Sequence, residues 1–172
     1  MDGDGFRNGE HAAGVEAARL AAVRRYGILD TSPDGAFDRV ARLAARLFAT
    51  PIATVTIVDE QRIWFKARHG LDDVTEIPRD PGLCASAILH DEPYLVTDAR
   101  VDPRTLHHPL VRGELGLRFY AAAPIVTVDG YRLGTVNVID RTPRQVRRDD
   151  LTMLQDLAAI VADELELRLA AI

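Results

Sequence analysis

Apolar positions along the chain switch between helical and strand spacing, and the switches divide it into elements. Val15, Ala18, Ala22, Tyr26 and Leu29 recur at helical intervals and predict a first helix over about 15–29. Ser32 followed by Pro33 reads as an N-cap and a first helical position. A second helix follows, with Phe37, Val40, Ala41, Ala44, Leu47 and Phe48 on one stripe and Arg39, Arg42 and Arg46 outside it. Pro51 is expected to end it. From Ile52 to Asp59 the chain is rich in β-branched residues and reads as a strand, with a turn at Glu60-Gln61. Its partner runs from Arg62 to His69, with Ile63, Phe65 and Ala67 on one face and Trp64, Lys66 and Arg68 on the other.

Residues 70–82 carry Gly70, Pro78, Pro81 and Gly82 and are expected as a loop. Leu83 to His90 reads as a short helix and Tyr94 to Thr97 as a brief strand. A long irregular stretch fills 98–117, with a helical turn near 109–113; connections of that length in a compact domain are usually functional. Asp129-Gly130 then stands between strand-type runs near 118–126 and 131–139, a strong local signal for a hairpin. Asp149 or Asp150 is placed to open a last helix at its positive end, with Leu151, Leu154, Ala158, Val161 and Leu165 as its apolar seam. This order is that of an α+β domain with an antiparallel sheet.

At 172 residues the chain has one typical domain's length and needs no disulfide or metal to fold. A net charge of -5 argues against a nucleic-acid partner. No apolar run approaches the ~20 residues of a membrane span, so no membrane partner is expected. Its one cysteine excludes an intrachain disulfide and fits a cytoplasmic setting. Residues 1–14 lack the apolar core of a signal peptide and are expected as a disordered tail, with a single domain over 15–172.

The runs Arg24-Arg25-Tyr-Gly-Ile-Leu-Asp-Thr-Ser-Pro33, Val58-Asp59-Glu60, Trp64-Phe65-Lys66, Leu83-Cys84-Ala85, Val96-Thr97-Asp98-Ala99, Asp102-Pro103-Arg104, Pro109-Leu110-Val111, Arg118-Phe119-Tyr120 and Gly134-Thr135 together resemble the GAF domain family, over about residues 18–168. The match is to the bacterial subset often fused to diguanylate cyclases, histidine kinases or phosphatases. The resemblance implies a central antiparallel sheet of five to six strands. Terminal helices lie on one face and a loop-covered pocket on the other, and the terminal helices form a homodimer. The chain departs from that subset at three places. It has Leu83-Cys84-Ala85-Ser86 where Phe-Cys-Ala-His is common, Asn137 where the last strand commonly carries Cys, and His108 where Asn often precedes Pro-Leu-Val. The first two remove soft or ionisable groups from the expected pocket, so neither a metal nor another cofactor is expected. Some distant GAF relatives reduce free methionine sulfoxide and resemble this chain around Cys84. They also use a cysteine in the loop before the penultimate strand, and residues 98–120 contain none.

Each candidate site residue has a functional and a structural reading. Cys84 at a helix start is either a reactive thiol or a small buried side chain; Ser86 shares that helix. Thr135 and Asn137 share a strand face and either fix a ligand or find partners in the core. Tyr120 offers stacking area with a polar tip, and Arg118 a fork for a carboxylate or phosphate. Asp98 and Arg104 either tie their loop or close a lid over the pocket. Trp64 is either core or ligand platform. His107-His108 lack further ligands at metal spacing. The expected function is a non-catalytic small-molecule sensor signalling through dimer helices to a partner protein, because no output domain is recognisable in these residues. A ligand-free interaction scaffold and a thiol-dependent redox sensor or enzyme using Cys84 are the alternatives.

Overall fold

A computed structural model describes the backbone of residues 4–172 and the side chains from residue 9 onward. Helix α1 (Asp4–Tyr26) and helix α2 (Gly35–Phe48) precede strands β1 (Ile52–Val58) and β2 (Arg62–His69). Strand β3 (Glu76–Pro78), helix α3 (Leu83–Ala87), strand β4 (Tyr94–Val96) and helix α4 (Pro109–Arg112) make up the middle of the chain. Strands β5 (Phe119–Val126) and β6 (Arg132–Asp140) and helix α5 (Arg148–Ala170) complete it. The six strands form one sheet in the order β3-β2-β1-β6-β5-β4, and every neighbouring pair is antiparallel. The expected α+β architecture is therefore present.

Alternation along the strands divides the core in two. Ala53, Val55 and Ile57 of β1, Phe119, Ala121 and Ala123 of β5, and Val136 and Val138 of β6 pack under α1, α2 and α5. Ile52, Tyr120, Ala122 and Ile139 face the other way and pack with α3, α4 and the loops. The hairpin forms as its sequence requires. Gly130 takes φ +89°, where a side chain would be strained, and Thr127 and Tyr131 close the turn by a backbone bond of 2.9 Å. Gly134 is required for a different reason. A Cβ there would sit 1.8 Å from the Thr56 carbonyl oxygen, so only glycine lets β6 lie this close to β1.

Several boundaries differ from those expected. The first helix ends at Tyr26 before Gly27 at φ +59°. It also begins upstream of residue 15, so residues 4–14 of the expected tail are helical, while residues 1–3 lie outside the described residues. The cap of α2 is Asp34 and not Ser32, because the Asp34 carboxylate accepts from the Ala36 N–H at 3.1 Å. That helix stops at Ala49 in the left-handed region, ahead of Pro51. Its stripe buries Ala45 and leaves Leu47 48% exposed. Part of the expected 70–82 loop is the edge strand β3, whose Pro78 is tolerated at a sheet edge.

The faces of β2 change along its length. Thr56 pairs with Phe65 while Val55 pairs with Ala67, so Lys66 is the extra residue of a bulge. Ala67 consequently joins Trp64 on the helix side, and Phe65 faces the opposite layer. The Lys66 ammonium donates to Thr31 Oγ1 at 2.8 Å and to the Ser32 carbonyl at 2.6 Å. Burial lowers its pKa.

Candidate functional site

The face of the sheet away from the long helices carries a cavity of about 440 Å³. Leu71, Val74, Ile77, Leu83, Leu110 and Leu117 make its walls and roof, and Thr54, Tyr120, Cys84 and Asn137 supply its polar surface. The strands present that polar surface because Thr54 and Thr56 alternate with Ala53, Val55 and Ile57, and Thr135 and Asn137 with Val136 and Val138. Helix α4 is held in place by three bonds. His108 Nδ1 accepts from the Leu110 N–H at 3.1 Å and caps it. The Leu117 N–H donates to the Leu110 carbonyl at 2.9 Å, and Arg118 donates to the Val111 carbonyl at 2.8 Å.

The polar floor is one connected network centred on Asn137, which is fully buried. Its Oδ1 accepts from Tyr120 Oη at 2.6 Å, from Thr135 Oγ1 at 2.9 Å and from Cys84 Sγ at 3.5 Å. Its Nδ2 donates to Thr54 Oγ1 at 3.0 Å and to Thr56 Oγ1 at 3.3 Å. Tyr120 Oη also lies 3.3 Å from Cys84 Sγ. An amide oxygen has two lone pairs, so three donors exceed its capacity. The Thr54 hydroxyl accepts from Asn137, and its own proton has no acceptor among the described residues. Thr135 can instead donate to Thr56 Oγ1 at 2.9 Å, so the Thr54 hydroxyl is the floor donor left without an acceptor among the described residues, and a molecule above it is best matched there by a hydrogen-bond acceptor. Burial raises the Tyr120 phenol pKa well above its usual value, so the group is a neutral donor at any physiological pH.

The expected site residues divide accordingly. Tyr120, Cys84 and Asn137 line the cavity, and Thr135 supports Asn137 from two residues earlier on the same strand face. Cys84 is 8% exposed. Trp64 lies in the helix-side core and not in this cavity, because the phase of β2 turns it toward α2, where it lines a separate hollow with Thr31, Pro33 and Lys66. Ser86 and Arg104 line a separate hollow with His90, Glu92 and Tyr94. Tyr94 packs edge-on against Tyr120, with ring centres 6.0 Å apart, between that hollow and the cavity. Arg104 lies 4.6 Å over the Tyr94 ring, donates to the Leu95 carbonyl at 2.6 Å and pairs with Asp102 at 2.7 Å. Asp98 pairs with Arg100. Both acidic residues fasten their own loop and neither reaches the cavity. Arg118 serves as the fastening of α4 described above.

Sequence reasoning missed Thr54, Glu114 and Arg141, which also line the cavity. The alternating threonines of β1 were a legible signal for the first. Nothing local marks the other two. Arg144, between β6 and α5, lies outside the cavity. That residue pairs with Asp140 at 2.5 Å and donates to the Phe48 carbonyl at 2.7 Å, closing the end of α2. Among the described residues no group of three or more His, Cys, Asp or Glu side chains could hold a metal ion. No helix there is long and apolar enough to cross a membrane.

The comparisons with known proteins agree with this fold. A cyclic di-GMP phosphodiesterase of Pseudomonas aeruginosa is 42% identical over 147 residues, which are 85% of this chain. The chain spans 25% of that relative's length. The free methionine-R-sulfoxide reductase of Neisseria meningitidis, solved with its substrate, has a TM-score of 0.66 at 19% identity, over 90% of this chain and 94% of its own. The GAF domain of the Acinetobacter phosphoenolpyruvate-protein phosphotransferase has a TM-score of 0.65 at 16% identity, covering 90% and 95%. At such identities these two are likenesses of fold. Residues 32–165 match the GAF domain family, and the chain belongs to that family.

Proposed function

We propose that this domain is a non-catalytic sensor that binds a small, largely apolar molecule in the cavity beneath α3 and α4. The observation that carries the reading is a cavity of about 440 Å³ with apolar walls over a polar, hydrogen-bonded floor. Small-molecule sites have this makeup, a few placed polar groups in an apolar enclosure. Occupancy has a direct route to the long helices. Tyr120 and Asn137 touch the cavity, while Phe119, Ala121, Val136 and Val138 on the same two strands pack beneath α5 and its neighbours. A ligand acts by binding one arrangement of these strands and helices more tightly than another. The receiving assembly in this reading is a homodimer through α1 and α5 in the cytoplasm. Those helices are joined by the Tyr26 hydroxyl donating to Glu166.

The similarity to part of a cyclic di-GMP phosphodiesterase supports a role as the regulatory input of such an enzyme. Catalysis by the domain itself has weaker support. One thiol is present in the chain, its Sγ is enclosed by Tyr120 and Asn137, and no second thiol can resolve an oxidised one.

Native mass spectrometry of freshly purified protein tests both parts. A bound small molecule on a dimer is the expected result. A strict monomer by light scattering at high concentration refutes the dimer. An empty protein with no thermal shift across a metabolite library refutes the sensor and leaves the scaffold.

A further inference from the structure

Two charges at the cavity mouth are unused by the interior. Glu114 lies just after α4 and Arg141 just beyond β6, and both are exposed residues of the cavity lining. Arg141 Nε donates to the Leu115 carbonyl at 3.0 Å. That bond holds the guanidinium across the rim, joining the end of β6 to the segment after α4. Among the described residues its terminal nitrogens have no hydrogen-bond partner, and neither Arg141 nor Glu114 forms an ion pair. A guanidinium is permanently charged, and its planar fork matches a carboxylate.

We infer that the ligand is an amphipathic organic monoanion, with its carboxylate on the terminal nitrogens of Arg141 and its apolar body in the cavity. This rests on the sensor reading and adds the ligand's chemical class. The body would run along Leu110 and Leu117 toward Tyr120 and Thr54, where an acceptor at its far end meets the unpaired Thr54 hydroxyl. Glu114 does not turn this assignment toward a cation. It adjoins the residue that Arg141 holds and has no fixed partner of its own, whereas Arg141 is tethered. Its carboxylate makes no bond to the guanidinium, so the terminal nitrogens stay open to an anionic ligand, which Glu114 at the same rim opposes only as a like charge.

Calorimetry on the intact protein tests the inference, with octanoate, decanoate and phenylbutyrate against their primary amides and amines. Each carboxylate is expected to bind about tenfold more tightly than its amide, with the advantage shrinking as salt is raised. Arg141→Gln should abolish the advantage, and Arg141→Lys should keep only part of it. Glu114→Gln should increase carboxylate affinity. Amides binding as tightly as carboxylates, a preference that survives Arg141→Gln, or weaker carboxylate binding in Glu114→Gln each overturns the inference. If amides or amines bind and carboxylates do not, the cavity reading stands and the anion does not. If no probe of any charge binds, the anion is refuted, and the mass of a co-purified molecule decides the cavity reading separately.

Discussion

Replacing Asn137 with leucine, nearly its size, removes every polar atom at the centre of the floor while keeping the volume. Four hydroxyls are affected. Tyr120 Oη keeps Cys84 Sγ at 3.3 Å, and Thr135 Oγ1 keeps Thr56 Oγ1 at 2.9 Å. Those two groups therefore lose one bond each and stay paired. Thr54 Oγ1 loses the amide donor at 3.0 Å and has no other partner among the described residues. One buried group left unpaired costs about 1–3 kcal/mol, and each exchanged bond about 0.5–1.5 kcal/mol. Leucine recovers part of this as apolar burial, so the expected loss is about 2–3 kcal/mol. Tyr120→Phe is the control. It removes one donor from an oxygen that has three, and should cost about 1 kcal/mol or less. Urea unfolding followed by circular dichroism reads both variants, with unchanged slopes confirming that midpoints report stability. A loss below about 0.5 kcal/mol in Asn137→Leu, or a larger loss in Tyr120→Phe than in Asn137→Leu, refutes the network described here.

Two further outcomes follow from individual groups. Arg19 and Arg79 hold the Glu16 carboxyl down at about 2 against a reference of 4.5. A depressed carboxyl contributes its stability above the unfolded value and loses it as pH falls toward the folded one. Its side chain is about a third exposed, so the contribution is about 1 kcal/mol. Glu16→Gln should therefore narrow its stability gap to the unmodified protein as pH drops from about 4.5 to about 2, measured by urea midpoints; a gap independent of pH counts against the pairing. Cys84 Sγ is enclosed by Tyr120 and Asn137. Iodoacetamide should modify it at least about tenfold more slowly in the folded protein than in urea, and a native rate equal to that of a free thiol would support the thiol-chemistry alternative.

The order of the main strands and helices was legible because local rules set it. Asp129-Gly130 supplies the turn, the alternating threonines and asparagine give two strands a polar face, and the α2 stripe gives that helix a buried side. Family resemblance added the placement of a pocket on the sheet face away from the long helices. Local chemistry also misled where a neighbour competed. Asp34 took the α2 cap from Ser32 because its carboxylate reaches the Ala36 N–H, an ordinary capping contact that sequence leaves ambiguous between two polar residues flanking Pro33.

What the tertiary structure alone decided is which polar groups meet. A bulge at Lys66 moved Ala67 to the helix side of β2, and no alternation rule reveals where an extra residue enters a strand. Trp64 became core, and Ser86 and Arg104 went to a neighbouring hollow. Arg141 reached the cavity mouth by holding the Leu115 carbonyl, a residue far from it in sequence. Periodicity reports which face of its own element a side chain occupies. The partners across the fold depend on strand register and on how the loops return over the sheet, which are long-range properties of the packed chain.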